Sequence, residues 1–344
     1  MKHSRSKDIA TIYQQALAQR LAFAAFRLPN TEEIQCITGA VSRNIETHES
    51  AFAFVPFSPY QKPYYIKTEN KKPDIRHELV LQKSSKQKST SKKQYADLVN
   101  KIIAKVIAGD CKKIVAARVL ALHKPDSFSP ASFFEELCRR YQSAFVSLVY
   151  IPRIGLWIGA SPEVLISETS TELTIYSLAG TKAIDDTTAW TEKEKKEQEI
   201  VTGFISKQLR MTFPEKITIE GPRTQEAGTI KHLLSVFTVN YRNKGMWKQV
   251  ADIIHPTPAV AGVSQYKAVK FIKEEESFDR TFYAGYLGPV NMADKTDLFV
   301  NLRCMQVTNT QLLLYAGCGV TAGSDPEKEW QESERKIDIL RSLI

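Results

Sequence analysis

No two cysteines in this chain are spaced as CxxC, and the five present (Cys36, Cys111, Cys138, Cys304 and Cys318) are odd in number. Both facts argue against a disulfide scaffold or a cysteine metal knuckle. They imply reduced thiols in a cytoplasmic compartment. Long apolar runs are also missing. The N-terminal stretch LAFAAF (21–26) is short and ends at Arg27, which supports neither a signal peptide nor a membrane span, so no membrane partner is expected. There is no GxGxxG, no Walker loop and no internal repeat. Dinucleotide and P-loop chemistry are therefore not expected.

What is present suits a large core. Of 344 residues, 43% are hydrophobic and 10% aromatic, enough for one large domain or two ordinary ones. The net charge is +9. Much of it sits in KSSKQKSTSKK (83–93), where five lysines occur with no acidic and no apolar residue. The composition reads as a mobile linker or surface loop. No aromatic is interleaved for base stacking and no recognition motif follows, so nucleic acid is not an expected partner. The stretch divides the chain into an N-terminal part, 1–94, and a main domain, 95–344.

Helical spacing marks DIATIYQQAL near the N-terminus. It also marks YADLVNKIIAKVIAGD, stopped at Gly109, a charged helix over about 190–210, and a last helix over about 327–343. LAFAAFRL, SAFAFVPF, KKIVAARVLAL, AFVSLVYI, GLWIGAS, EVLISE, ELTIYSLAG, TFYAGYLGPV, DLFVNLRCMQV and QLLLYAGCGV read as strands. Strand runs joined mostly by short turns predict an α+β fold, with large antiparallel sheets and helices packed outside.

Two helices carry carboxylates at places that need an explanation. In the charged helix the apolar stripe is Ile200, Val201, Phe204, Ile205 and Leu209. Glu197 continues it, and Glu194 is assigned to the opposite face. A carboxylate entering a core face is costly unless it is paired or binds a metal. Periodicity equally allows a solvated helix start. In the last helix Trp330, Ser333, Ile337, Leu340 and Ile344 form the inward stripe, with Glu329, Glu332 and Lys336 along its edge. Carboxylates at i and i+3 can reach one hard cation, and an i, i+4 Glu332–Lys336 ion pair is the other reading. Three further segments point to a site. GASPE delivers Glu163 at a strand tip, SLAGTKA brings Gly180 backbone close to any ligand, and HPTPAVAG (255–262) is a rigid, apolar loop.

The order KIVAAR, GASPEVLI, SLAGT, EKKEQEIV, IKHL, HPTPAVAG, FDRTFYAGYLGPV, VNLRC, LYAGCGV, SDPEKEWQESERK resembles the chorismate-utilising enzymes, and within them the isochorismate synthase branch. The resemblance covers roughly residues 95–344. It implies the family fold, a two-sheet antiparallel sandwich flanked by helices with the active site between the sheets. The implied reaction isomerises chorismate to isochorismate, by water addition at one ring carbon and loss of hydroxide from another. The implied product enters menaquinone or siderophore synthesis, and the family precedent implies a monomer. Lys113 would be the general base and Glu163 the general acid, with His232 near the leaving hydroxyl. Glu197 and Glu332 would hold Mg²⁺, with Glu329 supporting through water. Gly180, Thr181, Ala259, Arg303, Gly317 and Lys336 would line the substrate site.

The chemistry fits these residue types. Chorismate is a dicarboxylate, for which Arg303 is a natural fork. Hydroxide is a poor leaving group and needs an acid. Strand alternation puts Val115, Ala117 and Val119 on the Lys113 face, and apolar surroundings would lower a lysine pKa. Relatives that add ammonia differ at the Lys113 position. One of their branches carries a nucleophilic lysine where this chain has Ala179. Salicylate synthase, which eliminates pyruvate from isochorismate in the same pocket, is the alternative.

Overall fold

The computed structural model describes residues 7–67, 86–213, 217–227, 230–240 and 245–344. Its elements begin with α1 (Lys7–Ala18), β1 (Ala22–Arg27), β2 (Ile34–Ser42), β3 (Ala51–Val55) and β4 (Tyr64–Lys67). Then come α2 (Lys92–Ile107), β5 (Lys113–His123), α3 (Pro130–Arg140), β6 (Phe145–Ile151), β7 (Gly155–Ser161), β8 (Val164–Glu168) and β9 (Glu172–Ala183). The chain continues through α4 (Glu192–Thr212), β10 (Ile217–Ala227), β11 (Ile230–Asn240), α5 (Trp247–Ile254), β12 (Gly262–Val263) and α6 (Gln265–Glu275). It closes with β13 (Tyr286–Val290), β14 (Thr296–Val300), β15 (Cys304–Val307), β16 (Gln311–Val320) and α7 (Pro326–Arg341).

The strands form an antiparallel array in the order β10-β11-β9-β8-β14-β13-β3-β4-β2-β1-β6-β7-β15-β16-β5-β12. The expected two sheets are its two halves, joined through β2. That strand pairs with β1 over residues 34–39 and with β4 over 40–42. The halves pack face to face. Phe145 of β6 stacks on Phe299 of β14 at 4.0 Å between centroids, and Phe54 of β3 meets Trp157 of β7 edge-on at 6.3 Å. A second core lies outside one half, where Tyr13 of α1, Phe134 of α3 and Leu340 of α7 cover β1, β6 and β16. The N-terminal strands belong to the same array, since β1 pairs β6 and β3 pairs β13.

Local chemistry sets the helix starts. Ser91 and Gln94 form a capping box on α2, as Thr191 and Glu194 do on α4. Asp325 caps α7, with Pro326 in its first turn. The Lys/Ser-rich stretch differs from expectation. Residues 83–85 lie outside the described residues. The rest is docked rather than a mobile linker: Thr90 is buried and its N–H donates to Val119 O at 2.9 Å. Two expected strands are interrupted. TFYAGYLGPV is a turn as far as Gly285, with Thr281 and Ala284 at positive φ. DLFVNLRCMQV breaks at 301–303 into β14 and β15.

Candidate active site

The face of β5 that carries Lys113 is set by period-two alternation. In the β5–β16 ladder Val115 pairs with Gly319 and Ala117 with Gly317. Two glycines on the facing strand leave room above the sheet, and Lys113 reaches into it. Its Nζ lies 2.6 Å from Glu197 Oε1 of α4, and the lysine side chain is 1% exposed. The expected apolar surrounding is therefore only partial, because a carboxylate faces the ammonium. Gly319 makes this approach possible. A Cβ there would stand 2.5 Å from Lys113 Cε and 2.7 Å from Glu197 Oε1.

Glu163 follows β7 at the turn into β8. Burial pushes its carboxyl up to about 7, even though Lys113, Lys336 and Arg303 pull the other way. A carboxylic acid so placed keeps its proton near neutrality and can donate it. His232 of β11 is buried, and its Nδ1 lies 2.9 Å from Gly180 O. A carbonyl only accepts, so Nδ1 carries the hydrogen. Burial lowers the ring to about 4, so His232 is neutral and Nε2 is a lone-pair acceptor rather than an acid.

Arg303 occupies the break between β14 and β15 with φ of 46°. A non-glycine residue in this region stores strain and is worth attention at a cavity wall. Its guanidinium makes no ion pair among the described residues, which leaves the fork open to an anion. Lys336 of α7 donates to Gly317 O at 2.9 Å and pairs with Glu332 at 2.6 Å. The i, i+4 ion pair is thus formed, in the same cavity as Glu197.

One cavity is lined by Lys113, Glu163, Gly180, Glu197, His232, Ala259, Arg303, Gly317, Glu329, Glu332 and Lys336. Thr181 is the remaining sequence candidate, and its side chain lies outside the described atoms. Two expectations need correction. Glu194 does not face outward. It lines the same cavity, its side chain is 18% exposed, and it lies 3.6 Å from Lys182. Seven residues are close to two helical turns, so Glu194 sits above Val201 on the buried stripe. Glu329 lies on the inward face of α7 rather than its edge and is 3% exposed, whereas Ile344 is 40% exposed. The sequence also left out Leu178, Val260, Tyr283, Leu302 and Tyr315, which line the cavity. Tyr283 is carried by the positive-φ turn that opens TFYAGYLGPV.

Glu329 and Glu332 offer carboxylate oxygens within 4.8 Å of each other and of Cys318 Sγ. Burial raises the Cys318 pKa well above the usual thiol range, which keeps it a protonated, soft donor. The oxygen donors, with Glu197 across the cavity, suit a hard divalent cation.

The family model described as chorismate binding enzyme matches residues 32–344. Isochorismate synthase MenF of Haemophilus influenzae is 29% identical over 265 residues, covering 74% of this chain and 61% of the relative. Isochorismate synthase DhbC of Bacillus subtilis is 30% identical over 268 residues, covering 72% and 67%. The chain thus spans about two thirds or less of the length of these curated relatives. The solved structure of MenF, the menaquinone-specific isochorismate synthase from Escherichia coli, superposes with a TM-score of 0.78 at 22% identity, covering 94% of this chain and 89% of that one. The two share a fold. No helix among the described residues is long and apolar enough to cross a membrane.

Proposed function

The chain belongs to the chorismate-binding enzyme family, and from that premise we propose that it is an isochorismate synthase, using water as the nucleophile and Mg²⁺ as cofactor. The observation that carries the reading is the pairing of two groups across one cavity. One is a buried lysine at the start of β5; the other is a carboxyl held protonated near neutrality. Ala179, buried beside Gly180, offers no amine nucleophile there.

In this mechanism Arg303 takes one substrate carboxylate through its open fork. Lys336 of α7 adds positive charge to the same cavity. Lys113, as the neutral amine, takes a proton from the attacking water at Nζ and becomes the ammonium that Glu197 faces. Glu163 donates its proton to the departing hydroxyl, which leaves as water. His232, neutral, orients polar groups through Nε2 while Nδ1 anchors it to Gly180. Glu197, Glu332 and Glu329 would hold the cation. When bound, the cation supplies charge neutralisation for a dicarboxylate substrate. The test incubates purified protein with chorismate and Mg²⁺ and resolves the products by chromatography. Isochorismate is expected. Stoichiometric salicylate and pyruvate would assign the salicylate synthase branch instead, and unchanged chorismate would overturn the reading.

Two predictions follow from the acid and the seat of the base. The acid must be protonated, so turnover should fall as pH rises through about 7, following Glu163. Glu163→Gln should lose about 10²-fold or more in kcat and lack that limb. The folded-state pKa is raised above the ordinary carboxyl value of 4.5. Wild type therefore loses this group's contribution to stability as pH rises from that value through about 7. The Tm of Glu163→Gln relative to wild type should accordingly increase from pH 5 to pH 8. Gly319→Ala should separate fold from function. The added Cβ meets only flexible side-chain ends, so stability should change by about 1 kcal/mol or less. Lys113 and Glu197 are displaced, however, and kcat should fall about 10²-fold. Normal turnover in Gly319→Ala would mean the pair has no fixed place in the reaction.

A further inference from the structure

The outer edge of β5 is covered in pieces. β12 pairs with it only at Lys113 and Ile114. The N–H of Val115 donates to Ala261 O at 2.8 Å, and Thr90 takes up the edge again at Val119. Between these points the carbonyl of Val115 and the N–H of Ala117 face no strand. Two side chains meet them. Arg280 Nη2 donates to Val115 O at 2.8 Å, and Glu276 Oε1 accepts from Ala117 N at 2.9 Å. Arg280 and Glu276 also pair with each other, Nε to Oε2 at 2.8 Å, and both side chains are 1% exposed. The remaining arm of the guanidinium, Nη1, donates to Val260 O at 2.7 Å.

A buried ion pair adds little net stability over apolar residues of the same volume. Its value here lies in what it joins. Ala259 and Val260 line the active cavity, as do Lys113 and Val115 of β5. Had a strand continued beside Val115 and Ala117, the loop could not turn into the cavity at Ala261. The side chains satisfy the backbone groups that such a strand would have bonded. Arg280 reaches a third wall as well, because its carbonyl accepts from Tyr283 N at 2.7 Å.

We propose that Arg280 and Glu276 are positioning residues, a surrogate strand of two side chains that fixes the Ala259–Val260 wall against the strand bearing Lys113. The expected kinetic effect rests on the isochorismate synthase reading. Lysine at 280 keeps the charge but not the fork, so it cannot serve Glu276, Val115 and Val260 together. Arg280→Lys should lower kcat about 10- to 100-fold, since small misplacements at a reacting centre cost this much. KM should stay within about threefold, because Arg303 and Lys336 stand on other elements. Glu276→Gln retains an oxygen for Ala117 N–H and should keep kcat within about threefold, whereas Glu276→Leu should match Arg280→Lys.

Chorismate kinetics on the four proteins decide this, together with amide hydrogen exchange over 112–117 and 257–263. Faster exchange of both segments in Arg280→Lys is expected. A folded Arg280→Lys with wild-type kcat, or equal losses in Glu276→Gln and Glu276→Leu, would overturn the proposal. If Arg280→Lys does not fold, the Glu276 pair decides by itself. If wild type leaves chorismate unchanged, the functional reading falls alone. Exchange then tests the clamp, and unaltered protection of both segments in Arg280→Lys or Glu276→Leu would refute it.

Discussion

Replacing Lys113 by glutamine is expected to leave a folded protein that still binds chorismate but adds water about 10²- to 10⁴-fold more slowly. The amide cannot accept a proton, whatever its position. It can still donate to Glu197, the present partner of the lysine at 2.6 Å, so the local hydrogen bonding is largely kept. Binding should survive because the cations that meet the substrate carboxylates in this mechanism are Arg303 and Lys336. Loss should therefore appear in kcat with little change in KM, the pattern of an interaction made in the transition state. Single-turnover consumption of chorismate, alongside a thermal melt, makes the measurement. Near-normal turnover in a folded Lys113→Gln would remove this residue from the mechanism.

Much of the wall around Lys113 was legible because strand alternation is strict. Lys113, Val115 and Ala117 share a face whatever the tertiary structure, and the glycines of LYAGCGV are visible as letters. Glu163 was legible from a turn-forming Ser-Pro beside it, and the helices from their periodicity and caps. Errors arose where geometry departs from repeat. Arg303 lies within DLFVNLRCMQV, whose β-prone composition hides a break. The break exists because Asn301 bonds Phe282 O and Gly285 O instead of a neighbouring strand. Tyr283 was missed for a related reason, since a positive-φ turn at Thr281 and Ala284 leaves no mark in residues that are neither Gly nor Asn. Glu194 shows a different limit. The opposite-face assignment fails because Glu194 lies seven residues, close to two turns, before Val201 and so falls on the buried stripe. The hydrophilic run between them hides that the stripe extends so far. The docked half of the lysine-rich stretch could not be read at all. Its hold on β5 comes from backbone and from Ser89 and Thr90 hydroxyls, groups that carry no compositional signal.

The proposed cation site makes a separate prediction, because its carboxylates come from different helices. Glu197 stands on α4 and Glu332 on α7, and both line the cavity. Each now has a lysine at 2.6 Å, so removing either carboxylate also removes an ion pair. Activity alone would confuse the two effects. Magnesium affinity, measured by calorimetric titration of the protein without substrate, separates them. Mg²⁺ demands near-octahedral oxygen geometry and tolerates a lost ligand poorly. Glu197→Gln and Glu332→Gln should each weaken Mg²⁺ binding by about 10-fold or more, and each should abolish most Mg²⁺-dependent turnover. The double variant should be hardly worse than either single one, since residues acting as a unit are non-additive. Glu329→Gln should be milder if its carboxylate, buried on the inner face of α7, acts through water. Glu199, exposed on α4, is the neutral control, since Glu194 faces the cavity. Independent, multiplicative losses at Glu197 and Glu332 with unchanged Mg²⁺ affinity would show that they share no cation. Their work would then be confined to holding Lys113 and Lys336.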